Sequence, residues 1–277
     1  MALYKRPVQP LNQPPMDATK SANLQTFLQS DGKTVIVPID HGTAIPTPGL
    51  ESPGEVITSL SDHADGFVVN MGIARAFASE LSGKGVCFRT DVYKPAVDSE
   101  KDLGAYVVYG ADDASDVGAT AMMNMLYPNH PNEAEITREC ADVISEGNEV
   151  GLPVIVESLP YGLGVPDKYT VANISFAVRA AAELGADVVK TAFPTGATED
   201  QFKEIVDACY VPLVILGGAA MGDDEALLDM VAKATGAGAA GVAIGRNVWQ
   251  HSDPPKIAKA IWRIVHDGAT AEAALKS

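Results

Sequence analysis

The feature that most constrains this chain is a repeated switch of pattern. A helix-like amphipathic stretch ends in glycine or another small residue, and a short continuous apolar run follows. The switch occurs at Val117-Gly118-Ala119 ahead of AMMNML, at Leu184-Gly185-Ala186 ahead of DVVKTA and at Gly238-Ala239-Ala240 ahead of GVAIG, with a looser copy at His63-Ala64-Asp65 ahead of GFVVN. Glycine can take the left-handed geometry that ends a helix, and unbroken apolar runs suit parallel strands covered on both faces. Alternation of this kind predicts βα units.

The apolar runs place strands at Thr34 to Ile39, Gly66 to Asn70, Val86 to Thr90, Ala119 to Leu126, Val154 to Glu157, Asp187 to Thr191, Leu213 to Leu216 and Gly241 to Gly245. That is the number which closes a (β/α)8 TIM barrel, an α/β fold that 277 residues accommodate as one domain. A doubly wound open sheet produces similar alternation, so the polar residues at the strand ends must decide between them. Residues 1–22, with Pro7, Pro10, Pro14 and Pro15, read as an extended N-terminal arm of the kind that packs on a neighbouring subunit, and residues 23–277 as the barrel. The stretch Asp98 to Asp116 reads as a solvated loop and helix face.

Composition narrows the function. A net charge of −16 without a basic patch argues against nucleic acid, and no apolar stretch is long enough to span a membrane. Cys87, Cys140 and Cys209 are odd in number and widely spaced, which suits reduced thiols in a cytoplasm. The histidines show no close metal-ligand spacing, so neither a metal nor a cofactor is expected.

In a barrel the reacting groups gather at the C-terminal ends of the strands. Asp40 closes VIVPID just before His41 and Gly42, where it can serve as an acid, a base or an orienting charge. Lys190 ends the apolar run ADVVK. A strand covered on both faces rarely tolerates lysine, and a desolvated amine is suited to attack a carbonyl and form an iminium that acts as an electron sink. A lysine snorkelling outward, or paired with an acid such as Asp40, remains the alternative. Tyr161, in a glycine-bearing loop past the fifth run, can relay a proton. Gly217, Gly218, Gly245 and Arg246 follow the last two runs, where glycines let backbone N–H groups approach an anion and so form a phosphate cradle. Arg89 and Lys94, near the third strand end, are candidates for a second cation beside Lys190.

With PIDHG after the first strand, a tyrosine after the fifth, VVKT on the sixth, LGG on the seventh and GVAIGRNVWQ on the eighth, the chain resembles the archaeal-type class I fructose-bisphosphate aldolase family of the deoxyribose-phosphate aldolase superfamily. The likeness runs from about Thr34 to Ala274. It implies that Lys190 is the Schiff-base lysine, Tyr161 the proton-transfer residue, Asp40 the strand-one carboxylate, and the glycines with Arg246 the phosphate site. The implied partners are a phosphorylated sugar substrate and further copies of the chain in a homo-oligomer. Leu159 and Leu163 stand where the family tends to carry an aromatic and a basic residue, and Ala220 where it carries lysine. The resemblance implies a class I aldolase acting on a phosphorylated ketose; the departures imply a smaller anion requirement or a different cradle, and the alternative is a single-phosphate enzyme resembling the transaldolase-like 2-amino-3,7-dideoxy-heptulosonate synthase or the phospho-diketone thiolase of the same superfamily. A barrel isomerase using paired acid/base residues, or a barrel retained for binding alone, are the readings outside this chemistry.

Overall fold

The computed structural model describes residues 17–94, 104–161 and 168–276. The apolar runs are strands because both faces are covered: residue after residue along each is buried. In chain order the strands are β1 (Thr34–Pro38), β2 (Gly66–Val69), β3 (Gly85–Arg89), β4 (Asp91–Lys94), β5 (Gly104–Val107), β6 (Ala121–Leu126), β7 (Val154–Ser158), β8 (Val188–Thr191), β9 (Leu213–Leu216) and β10 (Gly241–Ala243). Eight of them pair in parallel and close into a barrel in the order β1-β10-β9-β8-β7-β6-β3-β2, which settles the choice against an open sheet. The remaining two, β4 and β5, form an antiparallel pair directly after β3.

Helices connect the strands and pack on the outside. The helix Val171–Leu184 ends where Gly185 turns left-handed, at φ 111°, as the switch pattern requires. Gly241 is held to glycine by a close approach: a Cβ there would lie 1.9 Å from the Thr34 carbonyl oxygen of the neighbouring strand. Alternation along the strands divides the core in two. Val35, Val37, Phe67, Val154 and Val156 face the helices, whereas Ile36, Val68, Cys87, Met123, Ile155, Val188, Val214 and Ala243 fill the barrel interior. Phe27, 1 % exposed, belongs to this inner cluster and plugs the N-terminal end of the barrel.

Two expectations are corrected. Residues 1–16 of the expected arm lie outside the described residues, but its last part is not extended: Ala18–Leu24 is a helix, capped by Asp17, whose carboxylate accepts from the Thr19 N–H. Lys20 is buried there and pairs with Asp187 at 2.8 Å, so this segment belongs to the barrel. Within the acidic stretch, residues 98–103 lie outside the described residues, and Gly104–Val107 is a strand rather than a loop. The reason is local: β5 finds its hydrogen-bond partner only fourteen residues upstream, pairing Tyr106 with Val92. Among the described residues no helix is long and apolar enough to cross a membrane.

Candidate active site

Strand alternation sets the site. Two residues beyond the apolar interior layer, on the same face of each strand, the side chains turn polar: Cys87 is followed by Arg89, Ile155 by Glu157 and Val188 by Lys190. Asp40 stands four residues after Ile36, and Tyr127 four after Met123, both past their strand ends. All of these line one cavity of about 440 Å³ at the C-terminal mouth of the barrel. Gly217, Gly218, Gly245 and Arg246 line the same cavity.

Lys190 is 4 % exposed, so its amine sits at the mouth but out of bulk water. Register places it directly beside Glu157, and its Nζ lies 3.0 Å from Glu157 Oε1. The other carboxylate oxygen, Oε2, accepts from Arg89 Nη2 at 2.7 Å. Arg89 also donates through Nε to Asp40 Oδ2 at 2.6 Å, while its Nη1 reaches Asp91 Oδ1 at 3.4 Å. Asp91 Oδ2 accepts the backbone N–H of Met125 at 2.7 Å. One guanidinium thus holds three carboxylates, and one of those carboxylates holds the lysine.

The charges follow from these distances. Burial opposes ionisation of Asp40, but Arg89, His41 and Lys190 more than offset it and bring the pKa down to about 2, so Asp40 is a permanent anion. Glu157 is buried too, and Lys190 followed by Arg89 holds it below the ordinary carboxylate range. Asp91 goes the other way. Burial, then the negative charges of Glu157 and Asp40, outweigh Arg89 and the Met125 N–H and raise it to about 6. Arg89 is raised well above its ordinary value: its carboxylates overcome the burial that works against it.

The side of the mouth formed after β9 and β10 is built differently. Gly245 caps the single-turn helix Arg246–Trp249. Asn247, which the sequence reading did not single out, clamps the loop after β9: its amide donates to the Gly217 and Ala219 carbonyls at 2.8 and 3.0 Å and accepts from the Met221 N–H at 2.7 Å. Gly218 takes φ +67° with open space around its Cα. Arg246 Nε is buried without a hydrogen-bond partner.

The structure therefore brings together Asp40, His41, Arg89, Lys190 and the four phosphate-cradle residues, and leaves out Tyr161. The Tyr161 ring packs edge-on against His130 at 4.6 Å, and its N–H donates to the Pro128 carbonyl, away from the cavity lining. Leu159, the next residue after Glu157 in the same alternation, already does not line the cavity, so the pattern that aims Glu157 inward does not carry on to residue 161. His41 lies 3.5 Å from Asp40, too long for a hydrogen bond, with its ring edge-on to Trp249. Burial, reinforced by the charges of Lys190 and Arg246, lowers its pKa against the pull of Asp40. Lys94 sits on β4, and its side chain lies outside the described residues, as does Leu163. Leu159 is fully buried in the packing around the barrel, and Ala220 is exposed. The sequence reading missed Glu157, Asp91 and Tyr127. For Glu157 the signal was available, since VIVE ends in an acid just as VIVPID does.

A closed eight-stranded barrel with a buried, acid-paired lysine at the C-terminal ends of its strands defines the chain as a class I aldolase by architecture. Comparison with known proteins agrees: residues 34–251 match the DeoC/LacD family aldolase, and the chain belongs to that family. A 2-amino-3,7-dideoxy-D-threo-hept-6-ulosonate synthase of Halobacterium salinarum is 34 % identical over 94 % of this chain and 96 % of its own. A 3-hydroxy-5-phosphonooxypentane-2,4-dione thiolase of Escherichia coli K12 is 32 % identical over 90 % of this chain and 82 % of its own. Among solved structures, an archaeal fructose-1,6-bisphosphate aldolase with its catalytic lysine covalently bound to the carbinolamine intermediate superposes with a TM-score of 0.80. It is 25 % identical and covers 89 % of this chain and 99 % of its own.

Proposed function

We propose that the protein forms or cleaves a carbon–carbon bond in a phosphorylated ketose through a Schiff base on Lys190, with Gly217, Gly218, Gly245 and Arg246 holding the phosphate. The observation that carries this reading is the buried Lys190 amine, 3.0 Å from a carboxylate and opening on the same cavity as that glycine-lined anion site. Glu157 takes the proton that Lys190 must shed before its lone pair can attack the ketone carbon. The carbinolamine that results loses water, with its hydroxyl leaving as the proton returns, and the iminium so formed restores positive charge beside Glu157, where the ammonium stood. Loss of the proton from the hydroxyl on the departing carbon then makes that carbon a carbonyl and breaks the carbon–carbon bond, whose electrons pass to the iminium and leave a neutral enamine on Lys190 that is protonated on carbon and hydrolysed.

Asp40, ionised and fixed on Arg89, keeps the guanidinium turned toward Glu157 and supports the cationic intermediate by its charge. Tyr161, standing outside the cavity, has no part in the proton transfers of this reading; Glu157 replaces it. The similarity to the heptulosonate synthase and the thiolase, together with Leu159 in place of an aromatic, supports a second reading in which the same lysine serves a transaldolase-like or thiolase-like reaction. We further take the protein to be a cytoplasmic homo-oligomer. The unpaired Cys87, Cys140 and Cys209 support the compartment, and native mass determination tests the assembly.

The test is reductive trapping. Incubation with ketose phosphates and borohydride gives an intact-mass adduct that peptide mapping places on Lys190, and Lys190→Ala abolishes it. An adduct on another lysine, or turnover without any adduct, removes the assignment.

A further inference from the structure

Among the described residues, three buried side-chain atoms that lack a hydrogen-bond partner, Tyr127 Oη, His41 Nδ1 and Arg246 Nε, belong to residues lining the active-site cavity. Leaving such an atom unpaired is costly, so each is a place where a ligand supplies the missing bond. Arg246 belongs to the anion side already described. Tyr127 does not. It follows β6, and in the closed order of strands β6 stands diametrically across from β10, as β3 stands across from β9. Lys190, on β8, lies between the two sides. A substrate whose phosphate rests after β9 and β10 and whose carbonyl meets Lys190 therefore projects its other half toward Tyr127 and Arg89.

The chemistry of that far side is specific. Tyr127 is 1 % exposed and its ring packs against Tyr93 at 5.3 Å. Burial, then the charge of Glu157, keeps its phenol protonated well above the ordinary range, so it presents an O–H to whatever enters. Its surroundings do not suit an anion. Asp91 and Glu157 are carboxylates, and Arg89, the cation set against them among the described residues, has its one positive charge opposed by three acids through Nε, Nη1 and Nη2. A neutral hydroxyl, able to accept from the phenol and donate to a carboxylate, fits where a second phosphate would be repelled.

We propose that Tyr127 reads a hydroxyl on the unphosphorylated half of the substrate, and that the protein thereby selects ketose monophosphates over bisphosphates. The proposal rests on the Schiff-base reading above and adds to it the residue that sets specificity. Tyr127→Phe removes the hydroxyl while keeping the ring, and because that hydroxyl has no partner among the described residues the fold tolerates its loss.

The experiment measures the concentration giving half-maximal borohydride-trapped adduct for three probes, dihydroxyacetone phosphate, fructose 1-phosphate and fructose 1,6-bisphosphate, in the wild type and in Tyr127→Phe. Dihydroxyacetone phosphate lacks the distal half. In the wild type, fructose 1-phosphate is expected to trap at least about tenfold more readily than the bisphosphate, and in the variant the ratio of fructose 1-phosphate to dihydroxyacetone phosphate half-trapping concentrations is expected to rise about tenfold. A bisphosphate that traps as readily as the monophosphate overturns the proposal, as does an unchanged ratio or a large fall in Tm that reveals a structural partner for the hydroxyl. Failure of dihydroxyacetone phosphate to form an adduct in the wild type defeats instead the Schiff-base reading underneath.

Discussion

Replacing Glu157 by glutamine keeps its volume and removes one negative charge from a point 3.0 Å from Lys190 and 2.7 Å from Arg89. Breaking a buried ion pair by removing one partner ordinarily costs about 3–5 kcal/mol. Here a neighbour absorbs part of that loss. The Glu157 charge repels the Asp91 carboxylate, which is one reason Asp91 stands at about 6, and removing that charge relieves the repulsion and leaves Asp91 on Arg89. The net destabilisation is then about 1–3 kcal/mol, a fall in Tm of about 2–12 °C for a chain of this size. In the double variant Glu157→Gln/Asp91→Asn that repulsion is relieved only once, whereas each single variant relieves it, so its loss should exceed the sum of the two single effects by at least about 1 kcal/mol.

Chemistry reads the same substitution separately. With no carboxylate to receive the lysine proton, the rate of adduct formation on Lys190 under saturating ketose phosphate should fall by about 10²–10⁴. Thermal melts followed by circular dichroism supply the first quantity, and borohydride quenching with intact-mass detection supplies the second. A lowered Tm with wild-type trapping would reduce Glu157 to a structural counterion, and strictly additive single effects would show that Asp91 does not compensate.

Two predictions concern pH. The Asp40 carboxyl falls from an ordinary 3.8 to about 2 on folding, so its contribution, about 2 kcal/mol, is present above 3.8 and is lost as pH falls through 2; Asp40→Asn should flatten the stability profile over that interval in urea melts. His266 bridges Asp31 at 2.8 Å and Asp65 at 3.0 Å, and although burial works against its charge the two carboxylates raise its pKa. Its stabilisation is therefore full below the ordinary value near 6.5 and lost as pH rises through the raised one, and His266→Gln should lower Tm more at pH 6 than at pH 9. Equal Tm losses at the two pH values would show that packing against Trp262, and not charge, is what His266 supplies.

Barrel, strand positions and the Schiff-base candidate were legible because they rest on local signals: unbroken apolar runs, glycines that end helices such as Gly151 and Gly185, and one lysine where no lysine is comfortable. Reading polar strand ends one at a time found Asp40 and Lys190 but passed over Glu157, and reading tyrosines by loop position chose Tyr161 over Tyr127. The signal that separates them is parity. Stepping in twos from the interior residues Cys87, Met123, Ile155 and Val188 arrives at Arg89, Tyr127, Glu157 and Lys190, all lining the cavity, whereas the steps from Ile155 toward Tyr161 leave the cavity lining at Leu159.

Parity needs the interior face to be known, and the sequence does not mark it: both faces of these strands are apolar, so alternation is hidden until closure of the barrel gives inside and outside different meanings. The hairpin of β4 and β5 escaped for a related reason, since four-residue strands carry too little pattern to separate from a loop. Closure also creates what no local pattern contains, the pairing of opposed sides. Arg246 and Tyr127 are 119 positions apart in the chain yet face each other across the mouth only because β10 and β6 are four strands apart in a ring of eight. The chemistry proposed for the site lives in that opposition: a glycine-lined side closed by Arg246, an acid-paired amine between, and a phenol without a partner among the described residues.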